Sequence, residues 1–127
     1  MSLEVGIRGR AETLVVHENT AAAVGSGALE VFATPSMIGL MEKASLESVQ
    51  PFLEEGKGTV GTEIHVTHDA ATPLGETVVA ESELVEIDRR RLVFHVQAHV
   101  GDQIVGKGTH TRFIVDSERF LAKAMGK

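Results

Sequence analysis

Residues 33–51, Ala33-Thr34-Pro35-Ser36-Met37-Ile38-Gly39-Leu40-Met41-Glu42-Lys43-Ala44-Ser45-Leu46-Glu47-Ser48-Val49-Gln50-Pro51, carry the clearest local signal in the chain. Thr is a favoured helix N-cap and Pro a favoured first helical residue, so a helix is expected to begin at Thr34-Pro35. It should end near Gln50, because the residue before Pro51 is pushed out of helical geometry. Upstream, Arg10 to His17 mix β-branched and polar residues like a strand, and the small residues Ala21 to Gly27 suit a loop. Downstream of the loop at Glu54 to Gly58, four segments are rich in Val, Ile and Thr: Val60 to His68, Glu76 to Ile87, Arg91 to Val100 and Gln103 to Val115. Their connections, Ala71-Thr72-Pro73-Leu74-Gly75, Asp88-Arg89-Arg90 and Gly101-Asp102, are too short for parallel crossovers. The expected class is therefore α+β, a long, curved antiparallel sheet wrapped around one central helix at about 35–50. Ser117 to Met125 read as a short terminal helix.

At 127 residues the chain is expected to form a single domain, 1–127, able to bury about two-thirds of its unfolded surface without disulfides. The absence of Cys removes thiolate catalysis, Cys-ligated zinc and iron–sulfur clusters. No apolar run approaches the roughly 20 residues of a membrane span, and no secretion signal is visible, so a cytoplasmic protein without a membrane partner is expected. With 12 basic against 18 acidic residues, a nucleic-acid partner is not expected; a small anionic ligand on a local basic patch remains open.

Helical periodicity sets Thr34 and Glu42 about 80° apart on the helix, with Met41 and Ser45 near them and Lys43 and Glu47 on the far side. Glu42 thus falls on the mostly apolar face. A carboxylate buried there is costly unless hydrogen-bonded or wetted, and suits a general base; at the helix flank it would reach solvent or a cation instead. For Thr34 the alternatives are a plain N-cap or a group that, with the helix N-terminus, holds a carbonyl oxygen. Strand alternation sets His68 with Val60, Thr62, Ile64 and Val66, at the strand's end, where Glu42 could lie near it; the bland alternative is a His bonded to a backbone carbonyl. His65 and His68 face opposite sides and cannot share an ion, so no metal is expected. His95 and His99 read as solvent-side or interface residues, and His17 and His110 stand alone. Arg89, Arg90, Arg91 and Lys107 are either a solvated turn and strand cation or phosphate contacts. Gly61 permits close approach of a ligand to the backbone, or relieves a bulge.

The order of Ala33-Thr34-Pro35, Met41-Glu42, Gly61-Thr62-Glu63-Ile64-His65-Val66-Thr67-His68 and Ala70-Ala71-Thr72-Pro73-Leu74-Gly75 resembles the hotdog-fold acyl-CoA thioesterases, in particular their fluoroacetyl-CoA-thioesterase-like branch. The resemblance runs from about Thr13 to Val115. It implies a hotdog fold, a homodimer or a tetramer with sites at the subunit interface, an acyl-CoA substrate and no cofactor. It also implies catalytic roles for Thr34, Glu42 and His68, with Gly61 as backbone donor near the thioester. Aromatic lid residues are associated with selectivity for the fluorinated acyl group in that branch, and none stands between Ala21 and Glu30. A non-catalytic acyl-CoA-binding protein, and less readily a hotdog dehydratase, are the alternatives.

Overall fold

The computed structural model describes residues 2–127. Strand β1 (Arg8–Leu14) leads through a 3-10 turn to helix α1 (Ala21–Val24), and helix α2 (Thr34–Val49) is followed by β2 (Lys57–His68). Three further strands, β3 (Thr77–Asp88), β4 (Arg91–Val100) and β5 (Gln103–Asp116), precede the terminal helix α3 (Ser117–Ala124). All pairings are antiparallel, in the order β1-β3-β4-β5-β2. Consecutive strands β1 and β2 therefore occupy opposite edges, and α2, which links them, crosses the concave face. No helix is long and apolar enough to cross a membrane among the described residues.

The sheet closes on α2 through Phe32, Met37, Met41, Ala44, Leu84, Leu92 and Phe94, all essentially inaccessible to water. Each such large apolar side chain contributes about 1.5–3 kcal/mol on burial. The alternation expected for β4 holds: Leu92, Phe94, Val96 and Ala98 are buried while His95 is exposed. Small residues let the helix lie close. A Cβ on Gly9 of β1 would run into the Ala44 carbonyl and Ser48. The core serines cost little, because Ser45 donates to the Met41 carbonyl (2.9 Å) and Ser48 to that of Ser45 (2.7 Å) within α2.

Several local expectations are corrected. The first strand ends at Leu14, three residues before His17. The segment 21–27 is not all loop: Thr20 caps α1 by accepting from the Ala23 N–H, and Gly25 ends it with φ of 84°. The N-cap of α2 is Ala33, and Thr34 is already helical, with its hydroxyl free of any capping bond. The chain stays turned past Val49 as a 3-10 segment, Gln50–Phe52, which accommodates Pro51 near its start. Finally, β2 carries a register irregularity between Gly61 and Glu63, which breaks strict alternation. Thr59 and Gly61, rather than Val60 and Thr62, consequently share the concave face with Ile64, Val66 and His68.

Candidate active site

Edge strand β2 carries a polar group at each end of the concave face. At its C-terminal end, the freed hydroxyl of Thr34 lies 2.7 Å from His68 Nδ1. His68 Nε2 is buried and has no partner. Burial lowers the His68 pKa below its usual 6.5, against an opposing pull from Asp69, so the neutral ring is favoured. A small cavity of about 250 Å³ opens on the pair, walled by Ala21 and Ser26 from the α1 region and by Val31, Phe32 and Ala70.

Glu42 belongs to the other end. It is half-buried, at the flank of α2 rather than within its buried face, the second of the two placements that periodicity left open. Its carboxylate approaches Gly61: a Cβ built there would sit 3.0 Å from Glu42 Oε2, 3.1 Å from His110 Cε1 and 3.3 Å from Arg112 Nη1. The missing side chain thus leaves a notch bounded by a carboxylate, an imidazole and a guanidinium. Glycine at this position is what lets the three groups close on one point of the β2 backbone, with a cation beside the carboxylate that could face a developing oxyanion.

The notch is rigidly built. Arg112, 6% exposed, donates from Nε to Thr59 Oγ1 (2.8 Å), from Nη2 to the Thr59 carbonyl (2.9 Å) and from Nη1 to His110 Nε2 (3.1 Å). His110 Nδ1 donates to the Glu63 carbonyl (2.8 Å), which leaves Nε2 as the acceptor and fixes a neutral tautomer. Burial is the main cause of a lowered His110 pKa, partly opposed by that carbonyl; Arg112 lowers it further and Glu42 raises it. His110 therefore does not stand alone, as its sequence context suggested, and Arg112 escaped notice altogether. The legible signal was a cation and a His two apart in a strand, hence on one face, in line with glycines 106 and 108.

Within one chain the two groups do not converge. Gly61 and His68 are separated by seven residues of β2, about 20 Å; Thr34 and Glu42 by eight residues of α2, about 12 Å. The proximity of His68 to Glu42 expected from pattern does not arise inside one subunit. Three of the other four histidines have separate partners: His65 with Glu63 (2.9 Å), His99 with Glu81 (3.0 Å) and His17 with Glu30 (2.6 Å); His95 is exposed on β4. Of the anticipated phosphate contacts, Arg89 pairs with Asp88 (3.2 Å), Arg91 with Glu86 (2.8 Å) and Lys107 with Asp69 (3.2 Å), so only Arg90 keeps its charge uncommitted.

Residues 15–118 match the family model described as fluoroacetyl-CoA-specific thioesterase. The chain is 49% identical over 98 residues to the fluoroacetyl-CoA thioesterase of Streptantibioticus cattleyicolor, which covers 77% of this chain and 70% of that protein. A solved structure of the fluoroacetyl-CoA thioesterase superposes with a TM-score of 0.92 at 40% identity, over 100% of this chain and 98% of the other. A thioesterase superfamily member from Thermus thermophilus gives 0.87 at 26% identity, over 96% and 90%. With the curled sheet around its central helix and a family match spanning most of its length, the chain belongs to the fluoroacetyl-CoA-specific thioesterase family, within the hotdog-fold acyl-CoA thioesterases.

Proposed function

We propose that the protein hydrolyses an acyl-CoA thioester to a free acid and CoA in a site completed by two subunits. The observation that carries this is the cluster at Gly61, where Glu42, His110 and Arg112 close on one point of the β2 backbone. The thioester oxygen would lie in the notch against Arg112 and the Gly61 backbone. Glu42 either takes the proton from an attacking water and passes it to the departing CoA sulfur, or attacks the carbonyl itself, releasing CoA as the thiolate and leaving an acyl–Glu42 anhydride that water then hydrolyses. Incorporation of ¹⁸O from labelled water into Glu42 in a single turnover would mark the second route. Relatives bearing the family's name act on a fluorinated acyl group; with no aromatic side chain between Ala21 and Glu30, selectivity for that group is not carried over to this chain.

His68 and Thr34 enter from the partner. β2 is a 12-residue edge strand, and edges of this length are normally paired or protected. Antiparallel pairing of β2 with its copy, centred near Ile64, brings one subunit's Gly61 end alongside the other's His68 end. The unpaired Nε2 of His68 then reaches the substrate held at Glu42, and Thr34 orients the ring through Nδ1. Lys107 and Arg90, on opposite ends of the sheet in one chain, flank the same composite site and are the proposed phosphate contacts, Arg90 foremost. Arg89 and Arg91 support the turn that presents it.

Mixing Glu42→Ala and His68→Ala proteins tests this arrangement. Each is expected to be inactive alone, while random re-pairing restores about a quarter of wild-type thiol release, since half the dimers carry one intact site. No restoration with proven subunit exchange, or a monomeric protein at micromolar concentration, sinks the two-subunit site. No thiol release by wild type from any short, branched or aryl acyl-CoA sinks the hydrolase itself.

A further inference from the structure

Four cations converge on a cavity of about 500 Å³ between the β3–β4 turn and α3: Arg90 from the turn, and Arg119, Lys123 and Lys127 from α3 and the residues after it. None of the four makes an ion pair among the described residues, whereas Arg8, Arg10, Lys57, Arg89, Arg91 and Lys107 all do. The one acidic side chain in the lining, Asp116, is already engaged. Its Oδ1 accepts from the Arg119 backbone N–H (3.1 Å), and its Oδ2 lies 4.0 Å from Lys57.

Helix formation favours Lys123, in the last turn of α3, but not Arg119. Arg119 and Lys123 stand four residues apart on α3, where like charges repel, and Lys127 follows beyond the helix end. Arg119 also sits in the first turn of α3, the end at which the helix dipole disfavours a cation. In a chain of net charge −6, an excess of positive charge gathered in one concavity suits an anionic ligand. Phe120, 46% exposed in the same lining, adds a flat apolar wall. The position on β5 is also suitable. Val115 and Asp116 follow Arg112 by three and four residues, roughly 10–13 Å of strand from the Gly61 notch, a span within the length of a pantetheine arm.

We propose that this cavity binds the phosphorylated nucleotide end of the CoA thioester, with its phosphates on Arg90, Arg119, Lys123 and Lys127 and its adenine against Phe120. The inference rests on the acyl-CoA reading of the Gly61 notch and extends it to the far end of the substrate. Calorimetric titration with CoA, dephospho-CoA and pantetheine reads the site without turnover. Wild type is expected to bind CoA about tenfold or more tightly than pantetheine, with dephospho-CoA between them, as lost charge-assisted contacts would produce. That preference should shrink with added salt. Combined Arg119→Gln and Lys123→Gln substitutions should bring CoA affinity towards that of pantetheine. Arg90→Glu, on the opposite wall, should do the same with α3 untouched, which separates lost contacts from local unfolding. Equal binding of CoA and pantetheine by wild type, absence of CoA binding, or an undiminished preference in both variants overturns the proposal. A phosphate preference without thiol release from any acyl-CoA would instead leave this site standing and remove the hydrolase reading.

Discussion

The two ends of β2 are built to different standards. At the Gly61 end, Arg112 uses three nitrogens on Thr59 and His110, His110 is locked by the Glu63 carbonyl, and the side chains are buried. At the His68 end a single hydrogen bond to Thr34 holds the ring, Nε2 has no partner, and the cavity is open to solvent. The difference teaches that electrostatic organisation was completed within the chain at one end and left for something else to complete at the other. A closed network stores its geometry in the fold; an unpaired buried nitrogen tolerates its cost of about 1–3 kcal/mol only where a ligand or partner can satisfy it.

The comparison breaks most readily at Glu42. Glu42→Gln keeps the shape of the closed end and removes its base, so kcat should fall about 10²- to 10⁴-fold in a thiol-release assay with little change in folding. Unchanged turnover would mean that the closed end is structural. Arg112→Lys sharpens the contrast from the side of stability. Lysine cannot reproduce the fork, leaving His110 Nε2 or the Thr59 acceptors unpaired, and chemical denaturation should show a loss of about 1–3 kcal/mol.

Acid titration addresses both ends together. His68 and His110 each have a folded pKa lowered below 6.5, chiefly by burial. As the pH falls below 6.5, the unfolded chain binds protons that the folded chain does not yet accept. Stability is therefore complete above 6.5 and is lost as the pH drops through the lowered folded values. His68→Asn should remove part of this slope and leave the part due to His110; a midpoint of denaturation that is flat from pH 7.5 to 5 would contradict both assignments. The smallest effect is expected for Thr34→Val. Because Ala33 holds the cap position, the stability change should stay within about 0.5 kcal/mol, less than the loss of a true N-cap, while turnover falls.

Much of the fold was legible because its signals are local. Thr34-Pro35 started α2 and the β-branched runs marked four of the strands, with ends displaced by up to three residues. Short turns forced antiparallel neighbours. What periodicity could not show was the irregularity between Gly61 and Glu63, which depends on how β2 meets β5 and changes which residues share a face. Gly61 stood out as a glycine near a site, but its neighbours His110 and Arg112 come about fifty residues later, and only the pairing of β2 with β5 ties them to it.

By itself the sequence determined the residue types at the site and the order of elements, since helix starts, strand runs and turns are set by interactions a few residues long. It also determined, through matching motifs, the family. Only the tertiary structure decided that Thr34 spends its hydroxyl on His68 instead of on a cap, that Glu42 faces His110 and Arg112, and that these two groups stand some 20 Å apart along one strand. Such pairings join residues distant in the chain, and a bulge of one residue is enough to change them.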